Sequence, residues 1–121
     1  MAHNFGFWSL SNHFKNKVIP SIKSNKKIKP YVVYSRKNKL PREKYLKSTL
    51  ITKNKKDLLE NVKINYIYIS SITKNHFNNC KDALYHNKNV ICEKPICNNS
   101  TELKKLFLIA KRKKLKIFEF Y

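Results

Sequence analysis

Short apolar runs recur along the chain between polar stretches with helical spacing, and this alternation predicts an α/β fold. Residues 66–69 form a continuous apolar run, as expected of a strand covered on both faces. Residues 89–92 and 115–120 also read as strands, and 31–34 is a β-rich run with Pro30 as its start. Residues 4–8 are apolar and aromatic, and 48–51 is a weaker strand. Between these runs, 11–22 has helical character with Ser11 as a candidate N-cap, 41–47 opens with proline, and 57–61 is a helical turn carrying Leu58 and Leu59. Residues 76–85 are helical. Ser100-Thr101-Glu102 opens a last helix, in which Leu103, Leu106, Phe107 and Ala110 give one buried stripe. Repeated β-α-β units predict a single domain over 1–121, built on a mostly parallel, doubly wound sheet in three layers with right-handed crossovers. No internal repeat or linker breaks the pattern.

Composition changes this picture little. The 121 residues suffice for one core, and an apolar content of 41% excludes a disordered chain despite a net charge of +20. That charge would attract a polyanion, which leaves a basic nucleic-acid-binding protein as an alternative reading. However, 24 lysines stand against 3 arginines and accompany 15 asparagines. A selected nucleic-acid surface favours arginine, so the excess reads as codon drift and nucleic acid as an unexpected partner. Cys80, Cys92 and Cys97 have no metal-ligand spacing and are expected as reduced thiols in a cytoplasmic protein. The N-terminal residues have no signal-peptide pattern, and no apolar run reaches membrane-spanning length.

The stretch from Asn65 to Pro95 carries the chemistry. A strand, a loop, a helix opened near His76 and a second strand deliver Glu93-Lys94-Pro95, and ligands of open α/β sheets bind at such carboxyl ends. These residues resemble the N-terminal cofactor domain of the Gfo/Idh/MocA oxidoreductases. In the register of the family pattern D-x-V-Y-I-x-x-P-N-x-x-H stand Asn65, Ile67, Tyr68, Ile69, Ile72, Thr73 and His76, with Ile72-Thr73 departing from the usual Pro-Asn pair. Its A-L-x-x-G-K-H-V-x-x-E-K-P block is met by Ala83, Leu84, Asn87, Lys88, Asn89, Val90, Glu93, Lys94 and Pro95, without a gap from Tyr68 onward. Asp57-Leu58-Leu59, Glu102, Ala110 and Glu119 fall in further family positions.

The resemblance implies a Rossmann-type domain that binds NADP, with NAD as the other possibility. It places Lys94 beside the nicotinamide as the catalytic residue. Ser9, Ser11 and Asn12 then stand near the pyrophosphate, Ser35 and Arg36 near the adenosine ribose, and Ser71, Thr73, His76 and Glu93 along the cleft. Arg36 either meets a 2′-phosphate or is one more solvent-facing cation. His76 either lines the cleft or merely starts a helix. No metal site is expected. The departures fall on the glycine fingerprint, where Ser9, Ser11 and Phe14 replace glycine or another small residue. Ser9 and Ser11 can still turn an N–H toward an anion, although a positive φ costs serine about 1 kcal/mol or more. Asn87 replaces a helix-ending glycine and tolerates the left-handed conformation. The family's substrate domain is not represented, so the chain is expected to be catalytically incomplete alone, working with a separate substrate domain or in a homo-oligomer. A third reading is an inactive remnant or interaction module.

Overall fold

A computed structural model describes residues 3–9, 27–35 and 49–120 of the protein. Among these, six strands form one sheet: β1 (His3–Trp8), β2 (Ile28–Tyr34), β3 (Leu50–Thr52), β4 (Tyr66–Ile69), β5 (Asn89–Glu93) and β6 (Ile117–Phe120). The order is β3-β2-β1-β4-β5-β6, and every neighbouring pair is parallel. Three described helices, α1 (Lys55–Leu59), α2 (His76–Tyr85) and α3 (Ser100–Lys113), alternate with the later strands. The architecture is a Rossmann-type α/β fold. The helices expected at 11–22 and 41–47 lie outside the described residues.

Strand bounds differ from the sequence reading by a few residues. The largest difference is at β2, which begins at Ile28 and includes Pro30. Proline has no N–H for the ladder, and the β1–β2 register shifts opposite it: Phe5 faces Pro30, whereas Gly6 faces Val32. An irregularity of this kind is how a strand tolerates an internal proline.

Both faces of the sheet are buried, which is why β4 reads as continuously apolar. One cluster joins Trp8, Val32, Ile67, Ile69, Val90 and Cys92 to Leu58, Cys80, Leu84, Leu106 and Ala110 of the helices. The other face carries Phe5, Phe7, Val33 and Tyr68. In α2 the buried residues are His76, Cys80, Ala83 and Leu84, one side of a 3.6-residue helix. It ends on Asn87 at φ 65°, with the Lys88 N–H bonded to the Ala83 carbonyl, so asparagine does supply the left-handed cap. Asn99 caps α3 by accepting from the Glu102 N–H at 2.9 Å, and Glu102 returns the bond to Asn98. Lys88 is buried, and its ammonium group donates to the carbonyls of Asn61 and Ile64, fixing the turn that feeds β4.

At Gly6 the sheet packs directly against Leu58 of α1. A Cβ there would stand 2.3 Å from Leu58 Cδ1 and 3.1 Å from Ile64 Cδ1. Leu58 is fully buried and has little room to withdraw. Gly6→Ala is therefore expected to lower stability by about 1–3 kcal/mol, read as a fall in melting temperature.

Candidate functional site

Parallel pairing brings every strand's carboxyl end to one edge. Ser9 follows β1, Ser35 follows β2, Ser71 and Thr73 follow β4, and Glu93 and Lys94 end β5. After β1 the chain turns toward β2 and β3; after β4 it turns toward β5 and β6. The loops part between β1 and β4, and this switch point is where open α/β sheets hold ligands. Ser11, Asn12 and Arg36 lie outside the described residues.

Ser9 takes φ 75°, the left-handed conformation that glycine usually supplies. Two hydrogen bonds hold it there. Its N–H donates to the Tyr34 carbonyl at 2.8 Å, and its carbonyl accepts from Ser70 Oγ at 3.0 Å. The N–H expected to face an anion is thus committed to β2, leaving the Ser9 hydroxyl as the group to offer a ligand. Ser35 is also turned into the fold: it is buried, and its N–H donates to the Thr52 carbonyl at 3.0 Å, joining β2 to β3. Beside Ser9, the Trp8 ring meets Tyr34 edge-on, and the Lys55 ammonium lies 5.7 Å from its centroid.

His76 does not present its ring to the cleft. It is 2% exposed, with Nδ1 2.8 Å from the Pro95 carbonyl oxygen and Nε2 2.8 Å from that of Ser71. Carbonyls only accept, so both ring nitrogens must donate and the ring is an imidazolium. Burial pulls its pKa down, but the neighbouring Cys92 sulfur and the two accepting carbonyls outweigh this and raise it to about 9. The Cys92 thiol is pushed up, chiefly by its hydrogen bond with Cys80 and by burial, and stays neutral. His76 thus ties the loop after β4 to the loop after β5. Ser71 is held further by Asn79, whose Nδ2 donates to its Oγ at 2.8 Å. Thr73 is exposed at the start of a short 3-10 turn, Thr73–Asn75, and Ile72 beside it is 66% exposed.

Glu93 is half-buried and accepts from the Tyr68 hydroxyl at 3.1 Å. In register Tyr68 faces Ile91, so Glu93 is its diagonal neighbour on the same side of the sheet. Burial and the adjacent carboxylate push the Tyr68 pKa up, keeping it a neutral donor. Lys94 is exposed at the loop that follows. Sequence reasoning assigned no role to Tyr68, and cross-strand register, which one strand's pattern does not carry, was its only signal. Among the described residues no group of histidine, cysteine and acidic side chains could hold a metal ion, and no helix is long and apolar enough to cross a membrane.

Two outcomes follow from this geometry. Ser9→Gly is expected to raise stability by about 0.5–1 kcal/mol in denaturant melts, because it removes the left-handed strain and keeps both backbone bonds. For His76 the folded pKa lies above the unfolded 6.5, so its stabilisation is complete below about pH 6.5 and is lost as pH rises through about 9. Unfolding free energy should fall across that window by up to about 1.4 kcal/mol per pH unit, and His76→Gln should flatten the slope.

The sequence profile of the oxidoreductase family with an NAD-binding Rossmann fold, Gfo/Idh/MocA, matches residues 11–121. No curated protein matches the chain. Among solved structures, the probable oxidoreductase yhhX superposes with a TM-score of 0.93 at 21% identity, over 98% of this chain and 35% of that one. An oxidoreductase from Bacillus cereus gives 0.89 at 20%, over 98% and 35%. A variant of KijD10, a 3-ketoreductase from Actinomadura kijaniata solved with TDP-benzene and NADP, gives 0.87 at 17%, over 100% and 39%. The chain spans about a third of the length of the first two of these structures. With the profile covering all but ten residues, the chain belongs to the Gfo/Idh/MocA oxidoreductase family through its NAD-binding Rossmann domain.

Proposed function

We propose that this domain binds NADP(H) across the carboxyl edge of the sheet and contributes the cofactor half of an oxidoreductase. The supporting observation is the convergence of Ser9, Ser71 and Lys94 at the ends of β1, β4 and β5, on either side of the switch point. In this reading the Ser9 hydroxyl, Ser11 and Asn12 meet the pyrophosphate, and Arg36 faces the adenosine ribose, with buried Ser35 supporting the turn beneath it. With Ser35-Arg36-Lys37-Asn38-Lys39 directly after β2 and no acidic residue in that run, a 2′-phosphate is accommodated more readily than a bare ribose diol is held. NADP bound to the KijD10 variant is consistent with this choice. Ser71 and Thr73 line the nicotinamide half, while Glu93 and His76 support the loops beneath it.

The residues of this chain would bind, orient and polarise. The cofactor supplies the hydride chemistry when bound. Lys94, exposed at the end of β5, is the cation that would lie against the reacting oxygen, and its ammonium group can stabilise developing negative charge there or hold a proton for it. Substrate must also be held against the nicotinamide, and a substrate domain acting with this one is part of the proposal.

Trp8, buried beside Ser9, provides the test. NADPH is expected to quench its emission saturably, with NADH weaker by about tenfold, a difference of about 1.4 kcal/mol. The effect should persist in added salt that abolishes diffuse attraction to a highly charged protein. No quenching at millimolar NADPH would overturn the reading.

A further inference from the structure

Lys94 is followed by a loop whose fixed points lie outside its own motif. The first backbone N–H after Pro95, that of Ile96, donates to Glu119 Oε2 at 3.0 Å. Glu119 is on β6, one strand away, opposite Cys92 of β5. Its carboxylate therefore reaches past the end of β5 to the far side of the lysine's loop. A backbone N–H bonded to a carboxylate is a charge-assisted pair, among the stronger bonds available to a loop. The Ile96 side chain is buried in the helix-side core at 3% exposure, so the anchored N–H belongs to a residue that is itself seated. One residue earlier, the Pro95 carbonyl accepts from His76 Nδ1 at 2.8 Å. The peptide unit between Pro95 and Ile96 is thus gripped at both polar ends, its carbonyl by α2 and its N–H by β6. On the other side of Lys94, Glu93 is held by Tyr68.

We infer that Glu119 is a positioning residue for Lys94: by accepting the Ile96 N–H, opposite His76, it fixes the direction in which the lysine leaves the sheet edge. The consequence for function rests on the cofactor reading above, whereas the anchoring itself does not.

The test compares Glu119→Gln, which keeps an acceptor, with Glu119→Leu, which removes it, in the full chain. Amide hydrogen exchange over residues 94–97 is measured first, without ligand. Glu119→Leu should speed exchange at Ile96 by about tenfold or more, and Glu119→Gln should remain within about twofold of wild type. NADPH affinity by Trp8 quenching is measured second. Glu119→Leu should weaken it about five- to tenfold, the glutamine variant should restore it, and the loss should shrink when Lys94 is already methionine, because the residue acts through Lys94. Unchanged Ile96 exchange in Glu119→Leu overturns the inference, as does a glutamine variant as impaired as the leucine one. So does an equal affinity loss in the Lys94→Met background. If wild-type protein shows no NADPH binding, the cofactor reading falls and the exchange comparison still decides whether Glu119 anchors the loop.

Discussion

Parallel pairing is the constraint from which the rest follows. Each strand must be entered from the same edge, so every carboxyl end emerges on one side. Crossovers require apolar cover, and this explains why Ile67 and Ile69 are fully buried toward one face while Tyr68, between them, is buried toward the other. The same rule collects Ser9, Ser35, Ser71 and Lys94, far apart in sequence, along one rim. Only the crossover direction remains free, and its reversal between β1 and β4 opens the crevice.

Much of this was legible in the sequence because burial on two faces leaves a local mark. The runs at 66–69 and 76–85 became β4 and α2 with the bounds the pattern suggested. The start of β2 was not legible: Lys29 and Pro30 argue against a strand, and only pairing with β1 through a shifted register brings them into it. The site divides the same way. Glu93-Lys94-Pro95 is a contiguous signal, readable as a motif. The contacts that support it are not, because Tyr68 meets Glu93 through register and His76 meets Pro95 through the docking of α2 on β5. The resemblance left His76 either lining the cleft or merely starting a helix, whereas its geometry makes it an internal tie between two loops.

The lost glycine fingerprint shows how far the sheet overrides residue preference. At Ser9 the left-handed conformation costs on the order of 1–2 kcal/mol. Two hydrogen bonds of its backbone groups, to the Tyr34 carbonyl and from the Ser70 hydroxyl, each offset about 1 kcal/mol. The turn therefore keeps its shape without glycine. The lysine excess is accommodated in a similar way: Lys88 is buried with its ammonium group on two carbonyls, and Lys113 lies along Tyr85 while donating to its carbonyl. Long aliphatic stems let such residues pack while their charges find acceptors.

Acidic residues are scarce, seven in the chain, yet two of them, Glu93 and Glu119, sit at the ends of adjacent strands beside Lys94. Each accepts a hydrogen bond from the fold itself, Glu93 from Tyr68 and Glu119 from the Ile96 N–H. A carboxylate already accepting a hydrogen bond from the fold is committed to that contact. These two are accordingly architectural, and the side chain they frame is a cation. On the proposed cofactor reading, that cation is the group that polarises an oxygen and stabilises negative charge as it develops.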